Sequence, residues 1–273
     1  MSGSLIAAGG EGPLATGPIR FVSGATELVG HLAVPIGSPR PRPALVLCHG
    51  FPSFSGGEAY ADVGLAALAD RLATSLGWIV CSFACRGCGA SGGDFSLVGW
   101  LDDISSVARR VKGTQGVGAV WLAGFGTGGA LAICAAARDD AIRGVAAISA
   151  PASFSDWAHH PRRLLEFARE VGVVRTAGYP PWFDRWAGEL RQISAVQDVE
   201  ALANRQLLVV HGSMDQSVPT LDARELADAH GAAELRVIHG AGHDLRVDPR
   251  AIATLIGWLD RQEKRWQAGD GVP

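Results

Sequence analysis

The chain has 273 residues, of which 48% are hydrophobic, and its formal net charge is -3. This length fits one large α/β domain or two small ones, and the apolar content is enough for a sizeable core. The 24 basic residues are scattered among 27 acidic ones and form no basic stripe. We therefore expect no nucleic-acid partner.

The cysteines and the N-terminal sequence indicate the cellular compartment in which the protein is expected. Three of the five cysteines, Cys48, Cys81 and Cys134, lie in apolar runs that are typical of buried segments, which favours a reducing environment. The chain begins without a basic segment followed by an apolar one, so no signal peptide is predicted. No apolar run approaches about 18 residues, so no membrane span is expected. These features predict a cytoplasmic location.

Strand-like and helix-like segments alternate, which predicts an α/β fold: a mostly parallel eight-stranded sheet with helices on both faces. The first two strands form an antiparallel pair, and the run ALVLC is typical of a strand buried on both faces. The predicted strands are 19–22, 29–34, 44–48, 78–83, 117–123, 145–149, 207–210 and 235–238. The predicted helices are 59–75, 97–111, 127–138, 220–229 and 249–264. Asp102 and Asp103 fall near the start of the second helix, where its dipole favours negative charge.

The stretch 151–204 interrupts this alternation and is too long for an ordinary connection. We interpret it as a small helical insertion over the carboxyl ends of the strands, where ligands bind in such sheets. It is either a lid whose aromatic side chains contact a ligand, or a surface helix pair packed on the core. The ligand-contacting candidates are Trp157, Trp182 and Trp186. We expect a flexible tail at 1–17 and one domain over 18–273.

A glycine-rich turn follows the strand VWLA and precedes a predicted helix. Its sequence is Gly124-Phe125-Gly126-Thr127-Gly128-Gly129. A strand, a tight glycine-flanked turn and a helix form the scaffold of a nucleophile elbow, in which the glycines let strand and helix pack closely. The central position should carry Ser, Cys or Asp, and here it is Gly126. Thr127 carries the nearest hydroxyl. Because it is one residue beyond the central position of the turn, its side chain would point away from a catalytic histidine. No Lys-Ser/Thr follows, so a phosphate loop is not predicted.

Three other loops follow predicted strands. His49-Gly50-Phe51 comes after ALVLC, Asp215 follows the strand at 207–210, and His243 follows the last strand. A glycine at a strand end lets backbone N–H groups turn toward an anionic oxygen. An acid and then a histidine after the elbow give the chain order of a hydrolase triad.

Together these motifs resemble the α/β-hydrolase superfamily, in particular its esterase, lipase and serine-aminopeptidase-like branch, over about residues 19–266. The loop from Arg86 to Gly93, RGCGASGG, also looks like that branch's RGxGxSxG loop. The resemblance implies that Asp215 is the triad acid and His243 the base. It implies an oxyanion hole formed by the backbone N–H groups of Phe51 and Thr127. Gly126 then takes the nucleophile position, which leaves a degenerate catalytic triad. No metal or other cofactor is implied.

Three functions remain open. The protein binds a small, largely apolar ester or amide without efficient turnover, or hydrolyses it with water activated by His243 and Asp215, or serves as a non-catalytic binding or interaction protein. The sequence leaves open whether the chain is an enzyme, and it predicts neither substrate nor oligomeric state.

Two further motifs have simpler interpretations. Cys85 and Cys88 have redox-motif spacing, and with His159 or His160 they would offer zinc ligands. We interpret both cysteines as variable positions of the Arg86 loop, because no thioredoxin-like pattern surrounds them. We interpret His49 as a loop-packing residue.

Overall fold

A computed structural model describes residues 14–37, 41–52 and 64–269. The strands are β1 (Leu14–Ser23), β2 (Thr26–Pro35), β3 (Arg42–Cys48), β4 (Ile79–Phe83), β5 (Val117–Phe125), β6 (Ile142–Ile148), β7 (Gln206–Gly212) and β8 (Glu234–Ile238). They form one sheet in the order β1-β2-β4-β3-β5-β6-β7-β8. β2 pairs antiparallel with β1 and β4, and the remaining pairs are parallel. The predicted fold class is confirmed.

Helices cover both faces of this sheet. They are α1 (Leu65–Leu76), α2 (Leu97–Lys112), α3 (Thr127–Ala137), α4 (Ser155–His159), α5 (Pro161–Glu170), α6 (Phe183–Gln192), α7 (Ala195–Asp198), α8 (Thr220–His230) and α9 (Pro249–Gln267). A 3-10 turn at Val199–Leu202 follows α7. α1 and α9 contribute buried residues such as Leu72 and Trp258 to the core on one face. α2, α3 and α8 pack on the other face. No helix within the described ranges is long and apolar enough to span a membrane.

The element bounds differ from prediction at the N-terminal end. β1 begins at Leu14, inside the segment expected to be a tail, and residues 1–13 lie outside the described residues. The helix predicted at 59–75 is observed as α1, and positions 59–63 also lie outside the described part of the chain. β5 continues through Gly124 and Phe125, so the first two residues of the glycine turn are still strand.

The predicted dipole role of Asp102 and Asp103 is wrong, because neither residue lies in the first turn of α2. Asp103 is fully buried and accepts hydrogen bonds from Arg86 instead. The Arg86 guanidinium lies 2.7 Å from one carboxylate oxygen, and its backbone N–H lies 2.8 Å from the other. Asp103 therefore anchors the loop after β4 to α2.

The insertion between β6 and β7 contains α4 to α7 and is joined to the loop after β4 by hydrogen bonds to backbone. Phe95 N–H donates to the Val173 carbonyl (2.8 Å), and Trp186 Nε1 donates to the Phe95 carbonyl (3.1 Å). Arg175 donates to the Gly87 carbonyl (2.6 Å). The insertion and this loop therefore pack as one unit.

All five cysteines are buried and none forms a disulfide. Burial raises the pKa of the Cys85 thiol well above its ordinary value, which disfavours the reactive thiolate. Within 14–37, 41–52 and 64–269, no group of three His, Cys, Asp or Glu side chains is placed to hold a metal ion.

Candidate active site

The glycine turn joins the end of β5 to the start of α3. Gly126 is the N-cap of α3, with φ +53° and ψ −125°, and its N–H donates to the Ile148 carbonyl of β6 (2.8 Å). An L side chain at such a φ is strained by about 1–3 kcal/mol, whereas glycine adopts it readily. The turn therefore has the sharp strand-to-helix geometry expected of an elbow.

The turn has room for a side chain at Gly126 but not at its neighbouring glycines. A Cβ at Gly124 would overlap the Gly128 carbonyl oxygen, and a Cβ at Gly128 would overlap the His49 carbonyl oxygen. A Cβ at Gly126 would instead have His243 Nε2 as its nearest neighbour, at 3.5 Å, an ordinary contact distance. The open position of the turn thus faces the imidazole of His243.

His243 is held by Asp215. Its Nδ1 lies 2.8 Å from Asp215 Oδ2, and the Asp215 side chain is fully buried while that of His243 is 40% exposed. Because the carboxylate accepts, Nδ1 carries the proton, and Nε2 presents its lone pair toward Gly126. The structure therefore brings Gly126, Asp215 and His243 together as the sequence predicts.

Asp215 is stabilised as a carboxylate. Its Oδ1 accepts the backbone N–H groups of Ser217 (2.8 Å) and Val218 (2.9 Å). Burial raises the pKa of Asp215, but the hydrogen bonds from His211, His243 and these two N–H groups outweigh it and hold the pKa well below its ordinary value. The ionised carboxylate can therefore stabilise a protonated His243.

His211, at the end of β7, is a contact that the sequence analysis missed. Its Nε2 lies 3.3 Å from Asp215 Oδ2 and donates to the Val218 carbonyl (3.0 Å), and its side chain is fully buried. Its Nδ1 has no hydrogen-bond partner among the described residues. The sequence signal was available, because His211 opens the HGSMD segment that ends in Asp215.

The loop after β3 lies against the glycine turn. Gly50 Cα would be 3.7 Å from a Cβ at Gly126, which places the backbone before Phe51 beside the open position. Thr127 is the first residue of α3 and is buried, and N–H groups in a first helical turn lack intrahelical acceptors. His49 accepts the Cys85 N–H at Nε2 (2.9 Å), and its Nδ1 donates to the Gly50 carbonyl (2.8 Å). Both ring nitrogens are thus engaged with backbone, as a packing residue requires.

Aromatic rings surround Phe51. Its ring centroid lies 4.8 Å from that of Phe95, 5.2 Å from Trp157 and 5.9 Å from Phe167. Phe51, Trp157 and Phe167 are only partly buried, unlike Phe95, which is fully buried.

The three tryptophans of the insertion have different environments. Trp186 is 3% exposed and packs within the core, whereas Trp182 is 70% exposed at the start of α6. Of the three, Trp157 alone is both partly exposed and in contact with Phe51.

The mostly parallel sheet, the glycine turn and the Asp215–His243 pair are typical of hydrolase-type α/β proteins. The model of the alpha/beta hydrolase family matches residues 45–255, and the chain belongs to this family. None of the curated protein sequences matches the chain.

Solved structures share this fold at low sequence identity. One is Est1E from Butyrivibrio proteoclasticus with ferulic acid bound (18% identity, TM-score 0.68, covering 90% of this chain and 98% of that one). Another is the alpha/beta hydrolase GrgF from Penicillium sp. sh18 (19% identity, TM-score 0.67, 91% and 98% covered). A third is the esterase Pf2001 from Pyrococcus furiosus (18% identity, TM-score 0.65, 94% and 97% covered). At these identities the likeness concerns the fold alone.

Proposed function

We propose that the protein binds a small, largely apolar carboxylic ester or amide between the Gly126 turn and the insertion, without efficient covalent turnover. The observation that carries this proposal is that position 126 holds no side chain, although a Cβ there would lie 3.5 Å from His243 Nε2. The Ser-His-Asp mechanism needs a hydroxyl there, because the histidine takes its proton as the oxygen attacks. With Gly126 in that place, no acyl-enzyme forms on residue 126.

The remaining parts of the site suit a carbonyl ligand. In this proposal Asp215 orients His243, and the backbone N–H groups of Phe51 and Thr127 donate to the carbonyl oxygen. The positive end of the α3 dipole adds to this interaction. The site as proposed consists of protein groups and requires no cofactor.

The apolar part of the ligand lies against the aromatic rings. Phe51, Trp157 and Phe167 form a partly exposed wall next to the proposed carbonyl position. Edge and face contacts with such rings favour flat apolar groups. The ferulic acid bound to Est1E, a neighbour in fold, is a ligand of this shape.

A second candidate is hydrolysis by water. Asp215 holds the proton on His243 Nδ1, so Nε2 faces the open position with a free lone pair. A water in the space of a missing hydroxymethyl group would give its proton to Nε2 while its oxygen attacks the ligand carbonyl. The same proton would then pass to the leaving group.

Two measurements test these proposals. A fluorophosphonate probe should leave the protein unlabelled, and stoichiometric labelling would reveal a nucleophile and overturn the first proposal. Calorimetric titration with p-nitrobutyranilide, a stable amide, should show binding that Phe51→Ala weakens. Undetectable binding of this amide and of a panel of aryl amides would contradict the ligand-binding role.

Hydrolysis of p-nitrophenyl acetate and butyrate by the unaltered chain and by His243→Ala separates the two candidates. A rate that falls in His243→Ala supports the water mechanism. Equal rates in the two proteins remove it.

A further inference from the structure

Ser149 lies directly after β6 in a backbone conformation that is unusual for its residue type. Its φ is +51°, and among the described residues the other non-glycine residue with positive φ is Ala203, also at +51°. Such strain persists only where surrounding contacts hold it, and it is concentrated at functional sites. Ser149 is also 2% exposed, so its hydroxyl needs a partner inside the protein.

That partner is the backbone of the proposed base. Ser149 Oγ donates to the His243 carbonyl oxygen at 2.8 Å. The same carbonyl accepts the Leu245 N–H at 2.8 Å, so both hydrogen bonds fix the peptide after His243. Ser149 therefore acts on the backbone of the His243 loop, while Asp215 acts on the imidazole.

Ile148, the last residue of β6, and Ser149, which follows it, together contact all three parts of the site. The Ile148 carbonyl accepts the Gly126 N–H at 2.8 Å. Ser149 N–H donates to the Val210 carbonyl of β7 at 2.8 Å, one residue before His211 and within the strand that leads to Asp215. With the Oγ bond to His243, this dipeptide links the glycine turn, the Asp215 loop and the His243 loop.

We infer that Ser149 is a positioning residue that fixes the distance between the His243 imidazole and the glycine turn. The inference rests on the proposed function, because it concerns the same Asp215–His243 pair. Without the Oγ bond, the His243 loop keeps its link to Asp215 but loses its connection to the end of β6, where the Ile148 carbonyl accepts the Gly126 N–H. The imidazole then samples positions away from Gly126.

The test uses Ser149→Ala and Ser149→Gly, with Ala203→Gly as the matched control. Both Ser149 variants lose the hydroxyl, and the glycine variant also relieves the positive φ, so it folds even if the alanine variant does not. Ala203→Gly relieves the same φ at an exposed residue that directly follows the Val199–Leu202 3-10 turn, outside the site. The measurement is the NMR spectrum of the His243 ring, recorded in proteins that keep Gly126. The ring signals are assigned to His243 because they disappear in His243→Asn.

We expect the His243 ring signals to shift or double in both Ser149 variants and to remain unchanged in Ala203→Gly. In a Gly126→Ser background, the Ser149 variants should lower kcat about 10- to 100-fold with little change in KM, as expected for a misplaced catalytic group. Ring signals in Ser149→Gly that coincide with those of the unaltered chain would overturn the inference. An inactive Gly126→Ser protein would count against the proposed function, and the NMR comparison would still decide the role of Ser149.

Discussion

His211 and His243 both contact Oδ2 of Asp215, at 3.3 Å and 2.8 Å. The imidazole of His243 is partly exposed, whereas His211 is fully buried between Asp215 and the Val218 carbonyl. Oδ2 of Asp215 therefore makes two contacts, a proposed catalytic one with His243 and a structural one with His211. His211 restrains the side chain that orients the base.

Replacing His211 should impair the site without removing any proposed catalytic group. His211→Leu leaves Asp215 with one fewer donor, and a hydrogen bond to a charged group is worth about 1.5–3 kcal/mol. In a Gly126→Ser background we expect kcat/KM to fall about tenfold or more, measured with p-nitrophenyl butyrate. His211→Gln is the control, because its Nε2 amide can donate to the same oxygens. Equal activity in His211→Leu and the parent would contradict this role.

Gly126→Ser should create or strongly raise esterase activity. A serine Cβ at position 126 meets His243 Nε2 at 3.5 Å, so the hydroxyl comes within hydrogen-bond reach. Removing the nucleophile of a well-studied hydrolase costs roughly 10⁶ in turnover, so a gain of about 10³ or more is expected even with imperfect geometry. Initial rates on short p-nitrophenyl esters and fluorophosphonate labelling measure it.

Gly126→Ala is the matched control for that gain. It introduces the same strain at positive φ, about 1–3 kcal/mol, without a hydroxyl. It should lose stability like Gly126→Ser but gain no activity and no label. A folded Gly126→Ser protein that behaves like Gly126→Ala on every short ester would show that the site assignment is wrong.

Asp215 should make the stability of the fold depend on acid pH. Its folded-state pKa lies below the unfolded value of about 3.9, so its contribution is complete above that value and is lost as pH falls toward the folded pKa. Asp215→Asn should therefore be less stable by about 2 kcal/mol at pH 7, and the deficit should shrink between about pH 4 and pH 2. Urea unfolding across this range measures the difference.

Asp244→Asn provides the comparison for the Asp215 series. It removes a carboxylate from the residue after His243, but its side chain is 61% exposed. Its unfolding free energy should follow that of the unaltered chain at each pH. A deficit in Asp215→Asn that stays constant down to pH 2 would contradict the assignment of a low pKa.

The hydrogen bonds between Asp103 and Arg86 should stabilise the fold, whereas the neighbouring Asp102 should contribute little to stability. Asp103→Ala leaves the Arg86 guanidinium without its buried partner, a loss that typically costs about 3–5 kcal/mol. Asp102→Ala removes the same charge one residue earlier, at an exposed position, and should change the unfolding free energy by less than about 0.5 kcal/mol. Chemical denaturation of both variants tests the contrast, and similar losses in the two would contradict it.

The sequence predicted an eight-stranded α/β sheet and placed Gly126, Asp215 and His243 in loops that follow strands, because the alternation of elements and the position of loops follow from local patterns. It placed the start of β6 at Val145, whereas pairing with β5 and β7 extends the strand back to Ile142 across Arg143 and Gly144. Interstrand hydrogen bonds do not depend on side-chain polarity, so the apolar pattern understates such strands.

Side-chain partners that are distant in sequence were harder to predict. The partner of Asp103 is Arg86, and the hydroxyl of Ser149 finds its acceptor at His243. Neither pair has a spacing that marks it, so only the packed fold shows the contact. Trp182 illustrates the same limit, because composition alone does not say which aromatic side chain of an insertion faces solvent.

The crowding at Gly124 and Gly128 confines chemical variation in this turn to one position. Any side chain at the two outer glycines collides with backbone, so these positions tolerate glycine alone, whereas position 126 admits a small side chain at a modest cost in strain. Under the proposed function, we therefore expect a single substitution at position 126 to decide whether the turn carries a nucleophile, while the surrounding packing stays intact. If the proposed function holds, a scaffold of this kind can acquire catalysis in place of binding without redesign of its core.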